Sequence, residues 1–266
     1  MTDQVAGSDP AADHGRPAGR AVLVTGASRG IGRAVATTFA AAGDRVAVHY
    51  GRSRDLAEEV VAALPGDGHV AVQAELADPD AVRDMVETAA SALDGLSVLV
   101  NNAGVFLPHP PMDTSYADWQ ATWTRTLSVN LTGAANATFC VLPHLIAAGG
   151  GAVVNVSSRG AFRGEPTCPA YGASKAALNA FGQSMALALA PHGISVGTVA
   201  PGFVQTEMAR EVLDGPGGDA VRAQSPFARV ARPEEVAAAV FWLASDPARF
   251  ASGTIIDVNG ASYLRS

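Results

Sequence analysis

Short apolar runs alternate along the chain with longer segments patterned as helices. The runs are Ala21–Thr25, Arg45–His49, Val70–Gln73, Leu96–Asn101, Gly151–Ser157, Ile194–Ala200 and Thr254–Val258. They are rich in valine, isoleucine and leucine and read as strands. Most are apolar at nearly every position, not at every second one, as expected of a parallel sheet covered on both faces. Helical stretches are expected near Ile31–Ala42, Arg54–Ala63, Pro79–Leu93, Tyr116–Ala147, Tyr171–Pro191 and Pro233–Ala244. Strands that alternate with helices imply βαβ units. The expected fold class is therefore α/β: one doubly wound domain, a seven-stranded parallel sheet with helices on both faces. These elements use nearly all of residues 20–266, which leaves no room for a separate catalytic domain. Glu207–Phe227 breaks the rhythm with Gly215-Pro216-Gly217-Gly218 and is expected to be a mobile lid over about 207–227.

With 266 residues and 48% hydrophobic content, the chain can build one sizeable core. Its net charge of −7 and pI near 5.3 argue against non-specific nucleic-acid binding, which needs a basic patch. The stretch from Thr126 to Ser158 carries no Asp, Glu, Lys or Arg, but Asn130, Asn136, Pro143 and Gly149-Gly150-Gly151 interrupt it. No apolar run reaches the ~20 residues of a membrane span. Cys140 and Cys168 stand far apart in no metal-ligand spacing, so a disulfide framework is not expected and a cytoplasmic setting fits. Residues 1–19 contain no apolar run and read as a mobile tail, not a signal peptide. His109, His144 and His192 show no metal spacing; they are expected to be polar surface or loop residues, and no metal is expected.

The candidate chemistry begins with Tyr171 and Lys175. Four residues apart on one helix, they share a face. An ammonium ~4 Å from a phenolate at an effective dielectric of ~20 is worth roughly 4 kcal/mol. That could pull the phenol down by up to about three units from its usual ~10 and make Tyr171 a proton donor and acceptor near neutral pH. Thr25-Gly26-Ala27-Ser28-Arg29-Gly30-Ile31-Gly32 follows a strand and opens a helix. Glycines there allow a tight turn and close approach to a pyrophosphate at the helix N-terminus. The spacing is GxxxGxG, so the GxGxxG fingerprint lends no support, and a glycine-bearing turn that packs closely without a ligand is the alternative.

In these residues the chain resembles the short-chain dehydrogenase/reductase family. TGASRGIG matches the family's TGxxxGxG loop, Asn101-Asn102-Ala103-Gly104 its NNAG motif, and Asn130 its active-site helix asparagine. Ser158 precedes Tyr171 by thirteen residues, as the catalytic serine does, and Tyr171 with Lys175 forms YxxxK. Pro201-Gly202 with Thr206 matches the segment that contacts the nicotinamide carboxamide. The resemblance runs from about Ala18 to the C-terminus and implies a Rossmann-like fold. It also implies that Ser158 binds the substrate oxygen and that Tyr171 is the general acid for reduction and the base for oxidation. Lys175 would hold the nicotinamide ribose and lower the tyrosine pKa. Asn130, a mediocre helix former, would loosen its helix and hold a water that relays protons to Lys175. A loop-capping role is the alternative for Ser158, but Ser157 is the better candidate for it. An ordinary buried polar residue is the alternative for Asn130.

The cofactor contacts the resemblance implies fall at Gly26, Ser28, Arg29, Gly30, Ile31, Gly32, Arg52, Ser53, Glu75 and Leu76, then at Asn102, Ala103, Gly104, Tyr171, Lys175, Pro201, Gly202, Val204 and Thr206. Members that use NAD carry an acidic residue at the end of the second strand. Here Tyr50-Gly51-Arg52-Ser53-Arg54 offers none, and Arg29 adds a cation inside the glycine loop. Arginine's fork suits a 2′-phosphate, so NADP(H) is the expected cofactor; solvated helix-start arginines are the alternative for Arg52 and Arg54. Two departures stand out. Glu75 replaces the usual Asp near the adenine, which puts that contact's geometry in doubt, and Asn259-Gly260-Ala261 replaces Asp-Gly-Gly near the last strand.

The substrate pocket is expected to be walled by Phe106, Leu107, Arg159, Phe162, Arg163, Cys168, Phe203 and the lid with Met208. It is largely apolar, with two arginines that meet either an anionic group or solvent. From Ala176 to Pro191 the chain has no formal charge; a helix apolar all round must be buried on all sides. One face would meet the sheet and the other a second subunit. With the charge-free stretch from Thr126 toward His144, this predicts a homotetramer. The expected activity is NADP(H)-dependent hydride transfer to a carbonyl, most like the 3-oxoacyl carrier-protein reductase branch. An oxidative dehydrogenase of a sugar, steroid or other secondary alcohol is the alternative. A dinucleotide-sensing protein without chemistry would be expected to lack Tyr171, Lys175 or Ser158, and a sugar-nucleotide epimerase or dehydratase would need a longer C-terminal substrate domain.

Overall fold

A computed structural model describes residues 19–265. The expected tail over 1–19 lies, apart from Gly19, outside the described residues, as does Ser266.

Seven strands form one all-parallel sheet: β1 (Ala21–Val24), β2 (Arg45–Tyr50), β3 (Val70–Gln73), β4 (Val98–Asn101), β5 (Gly151–Val156), β6 (Ile194–Pro201) and β7 (Ile255–Val258). Their spatial order is β3-β2-β1-β4-β5-β6-β7. The order reverses between β1 and β4, and ligands of open α/β sheets bind at the carboxyl ends of strands at such a switch point. The apolar runs have a direct cause. Successive side chains point to opposite faces, and both faces are covered. Val22 and Val24 enter one buried cluster with α1 (Gly30–Ala41), α2 (Arg54–Ala63) and α10 (Pro233–Leu243). Ala21 and Leu23 enter the other with α3 (Pro79–Leu93), α5 (Ala134–Ala147) and α7 (Pro169–Leu189). At the start of α3, the Asp78 carboxylate accepts from Asp80 and Ala81 N–H, with Pro79 in the first turn, a strong start signal.

The long helix expected over Tyr116–Ala147 is interrupted. It runs as α4 (Tyr116–Leu127), widens to a π-helix over Ser128–Gly133, and continues as α5. Gly133 sits where a Cβ would come 2.6 Å from Leu76 O, so the wider turn lies hard against the chain after β3. Three short helices were not expected: α6 (Gly160–Arg163), α8 (Glu207–Asp214) and α9 (Gly218–Arg222). The last two fold the segment read as a lid. Within the single chain α7 keeps an open face: Leu187 is 82% exposed, and Gln183, Ser184 and Ala188 also face outward. No helix among the described residues is long and apolar enough to cross a membrane.

Candidate active site

The turn after β1 is held from below. Gly26 N–H donates to His49 Nδ1 at 2.9 Å, and Ala27 N–H to the His49 carbonyl at 2.8 Å. His49 Nε2 lies 3.2 Å from Ala74 O, which assigns the proton to that nitrogen. From the other side, Asn102 Nδ2 donates to Thr25 O and Gly26 O at 2.9 and 3.0 Å. Thr25 Oγ1 accepts from Asn102 and Ala103 N–H. The Asn102 side chain thus shapes the loop. Gly26 and Gly30 have φ of +64° and +55°, which favours glycine. A Cβ on Gly32 would lie 2.2 Å from Gly26 O. The loop presents its backbone to the N-terminus of the twelve-residue α1.

His49 does not appear among the residues singled out from sequence. It is a polar position inside an apolar strand. Burial lowers its pKa from 6.5 to about 4, against weaker support from the Ala74 hydrogen bond and Glu75. The folded protein therefore favours the neutral ring. This contribution is fully present above pH 6.5 and is lost as pH falls toward 4, where the folded ring also protonates. The site should cost about 3 kcal/mol of stability across that window. Denaturant titrations at neutral pH and near pH 4.5 should show a smaller acid loss for His49→Asn than for the parent; equal losses would rule the linkage out.

Arg29 precedes the first turn of α1, and its guanidinium meets Glu207 at 3.2 Å, both groups half-exposed. Arg52 is exposed after β2. Arg54 pairs with Glu58 along α2, so for Arg54 the helix-start reading holds. Glu75 is engaged: Arg125 Nη2 donates to it at 3.0 Å and Ala77 N–H at 3.3 Å. The Arg125 hydrogen bond is the main reason its pKa is lowered.

The catalytic candidates converge at the carboxyl ends of β4 and β5. Asn130, in the π-helix, is 1% exposed. Its Oδ1 accepts from Val105 N–H at 2.8 Å, and its Nδ2 donates to Val105 O and Ser174 Oγ at 3.0 and 3.1 Å. Ser174 Oγ donates in turn to Tyr171 O at 2.7 Å, a link not expected from sequence. The Phe106 ring meets Tyr171 edge-on, centroids 4.9 Å apart. Lys175 Nζ donates to Val156 O at 2.8 Å and lies 5.8 Å from the Tyr171 ring centroid. A Cβ on Gly104 would come 3.3 Å from Asn130 Oδ1 and 3.5 Å from Lys175 Nζ, so that glycine keeps the space beside both groups open.

The electrostatics correct one expectation. Tyr171 is not pulled down: burial of the phenol pushes it up to about 12, a hydrogen bond with Ser158 works the other way, and Glu165 adds to the rise. Burial draws Lys175 down to about 8. The ammonium is turned toward the β5 carbonyl and does not outweigh the loss of hydration around the phenol. The serines also differ from expectation. Ser158 Oγ accepts from Gly160 N–H at 3.0 Å and so caps the turn into α6, while Ser157 Oγ donates to Lys175 O at 3.2 Å. Ser158 thus holds both a capping bond and a bond to the phenol.

The expected pocket residues divide. Phe106 stands at the tyrosine. Arg159 stacks over Phe203, while Phe162 lies under Arg265 at 4.4 Å with its carbonyl bonded to Tyr263. Cys168 precedes α7 and is fully buried, so it lines no accessible wall. Met208, on α8, is 61% exposed, and Arg163 reaches Gln224 on the surface. His109 is not a surface residue: it is 2% exposed, donates through Nδ1 to Leu107 O, and accepts at Nε2 from Ala170 N–H. It braces the first turn of α7.

A family model described as short chain dehydrogenase matches residues 20–216. The chain belongs to the short-chain dehydrogenases. It is 36% identical over 247 residues to the 3-oxoacyl-(acyl-carrier-protein) reductase FabG of Staphylococcus aureus, covering 92% of this chain and 98% of that one. Over 243 residues it is 39% identical to cis-4-hydroxycyclohexanecarboxylate dehydrogenase of Sinomonas cyclohexanicum, covering 91% and 95%. A short chain dehydrogenase of Burkholderia cenocepacia, crystallised with NADP, superposes with a TM-score of 0.84 at 37% identity, covering 93% and 99%.

As a short-chain dehydrogenase the protein is an oxidoreductase acting between carbonyl and alcohol. Its residues fit a dinucleotide. The loop glycines leave a cradle that Cβ atoms would fill, and Gly104 opens the floor beside Lys175. When bound, the nicotinamide supplies or takes up the hydride. At neutral pH the phenol is protonated and the ammonium charged. A protonated phenol can give up a proton, and the Ser158 hydroxyl is hydrogen-bonded to it.

Proposed function

We propose that the protein is an NADP(H)-dependent ketoreductase of the 3-oxoacyl-(acyl-carrier-protein) reductase type. The observation that carries this reading is geometric: Tyr171, hydrogen-bonded to Ser158, stands with Lys175 and Asn130 at the carboxyl ends of β4 and β5, beside the space that Gly104 keeps open. The relative that is a reductase and the neighbour solved with NADP support it. So does the lack of a carboxylate after β2, where Arg52 stands exposed beside Glu75, with Arg29 across the loop. The catalytic roles of Asn130, Ser158, Tyr171 and Lys175 and the cofactor contacts expected from the sequence belong to this reading. The oxidative direction is the second reading, favoured by the relative that is a hydroxy-acid dehydrogenase.

The test is a panel of ketones and alcohols with NADPH, NADP⁺ and NADH. Ketone-dependent NADPH oxidation is expected, with NADH far poorer. Arg52→Asp should raise the KM for NADPH more than that for NADH, since a carboxylate repels the 2′-phosphate yet accepts from a 2′-hydroxyl. Equal use of both cofactors by the parent would refute the charge argument.

The same reading includes a cytoplasmic homotetramer. Free thiols at Cys140 and Cys168 suit the compartment. Among the exposed apolar side chains are Phe139 and Ile146 on α5 with Leu187 on α7, and Trp242 on α10 with Phe250 before β7. Two self-complementary faces close a tetramer of D₂ symmetry. Light scattering should report four copies, and a monomer at micromolar concentration would refute it.

A further inference from the structure

Arg159 is 5% exposed, yet among the described residues no carboxylate forms an ion pair with it. Its guanidinium donates once, from Nη1 to Ser262 Oγ at 2.8 Å, and its carbon lies 5.3 Å from the Phe203 ring centroid. A buried charge without a counter-charge is costly, and one partial hydroxyl bond does not offset it. The guanidinium faces a cavity of about 240 Å³ whose apolar wall includes Phe203, Val221, Phe227 and Val258. The other arginine on that wall, Arg229, is bound at both ends by Glu235, at 2.6 and 2.7 Å. One positive charge therefore remains open to a ligand. Glu165 and Arg163 act on Arg159 from a distance with opposite signs and leave that count unchanged.

We propose that this cavity is a carboxylate subsite, and that the carboxylate belongs to the substrate: a small, largely apolar keto or hydroxy acid. A carboxylate offers two coplanar oxygens to a guanidinium fork and matches its single charge, whereas a phosphate dianion would be left half-neutralised. The hydrocarbon body suits the phenylalanine and valine walls. The ligand is assigned as substrate because the cavity lies at the carboxyl ends of the strands, where open α/β sheets bind ligands: Arg159 follows β5, Phe203 follows β6 and Asn259 follows β7. Arg159 follows Ser158 directly, and its N–H donates to Pro201 O at 2.8 Å, at the end of β6. Phe203 lies two residues beyond that proline, and Val221 and Phe227 come from the 207–227 segment expected over the substrate. This rests on the carbonyl–alcohol reading above.

The experiment compares 4-oxocyclohexanecarboxylate with its methyl ester, using NADPH and the full-length protein. The acid should be favoured in kcat/KM by roughly tenfold or more, mostly through KM, as expected for one charge-assisted pair. Arg159→Gln should abolish that ratio and Arg159→Lys should keep part of it. A parent that treats acid and ester alike, or a ratio that survives Arg159→Gln, overturns the proposal. Where the variants fail to fold, the parent ratio decides alone. Calorimetry with unreactive cyclohexanecarboxylate separates the two readings. Binding of the acid but not its amide, in a protein that reduces no ketone, would keep the subsite and sink the reductase assignment. Turnover of the ester without acid binding would do the reverse.

Discussion

Tyr171→Phe should lower turnover by ~10²–10⁴, the range for loss of a general acid, while NADPH titrated by fluorescence binds as before. The substitution is nearly isosteric, so the edge-on contact with Phe106 at 4.9 Å survives and only the hydroxyl and its bond to Ser158 are lost. No neighbour replaces it readily. The Lys175 ammonium is committed to Val156 O. Glu165, whose pKa burial also raises, acts on the phenol only through its charge. Turnover within tenfold of the parent would move the proton donor elsewhere, with Glu165 the first place to look. The pH profile carries a second check. With the phenol near 12 and the ammonium near 8, kcat/KM for reduction should be level through neutrality and fall above about pH 8, as Lys175 loses its charge before Tyr171 does.

Gly32→Ala should be nearly as damaging, by sterics alone. The added methyl would sit 2.2 Å from Gly26 O, 2.5 Å from Asn102 Nδ2 and 2.9 Å from Ala27 Cα. Two of these are backbone atoms of the dinucleotide loop and the third is the side chain that ties it down, so no flexible end can swing aside. Overpacking of this kind costs about 1–3 kcal/mol, and the loop is what must move. Dinucleotide binding should weaken by at least tenfold, with a lower melting temperature. Gly217→Ala is the control: it has nothing within 4 Å and an ordinary φ of −90°, and both measurements should stay unchanged. Equal behaviour of the two variants would mean the loop tolerates a side chain.

The strands were legible because both faces of the sheet are buried, which makes Val22 and Leu23 equally apolar although they enter different cores. The catalytic set was legible because its chemistry needs particular residue types at set spacings. Spacing says which face a side chain shares, however, not how much water surrounds it. That is why the Tyr171 shift came out with the opposite sign. That the capping bond falls to Ser158 and not to Ser157 has a similar origin, since neighbours on an extended chain point opposite ways and no pattern names which one faces the turn. His49 was hidden because its partners lie 23 and 25 residues away, and the Arg159–Ser262 bond spans 103. Contacts of that range are set by topology and leave no local signal.

The wide turn at Ser128–Gly133 has a consequence for helical phase. A π-turn is equivalent to one residue spliced into an α-helix, so everything after it is rotated by about 100° relative to an uninterrupted helix of 3.6 residues per turn. The rotation leaves Asn130 directed at Val105 and Ser174, while Ala137 and Val141 further along still reach the core. Deleting a single residue there would let the helix close to ordinary pitch. Either Asn130 or the buried face of α5 would then turn away, since one uninterrupted helix cannot satisfy both. The segment is an insertion whose length, more than its composition, aligns the active site with the fold.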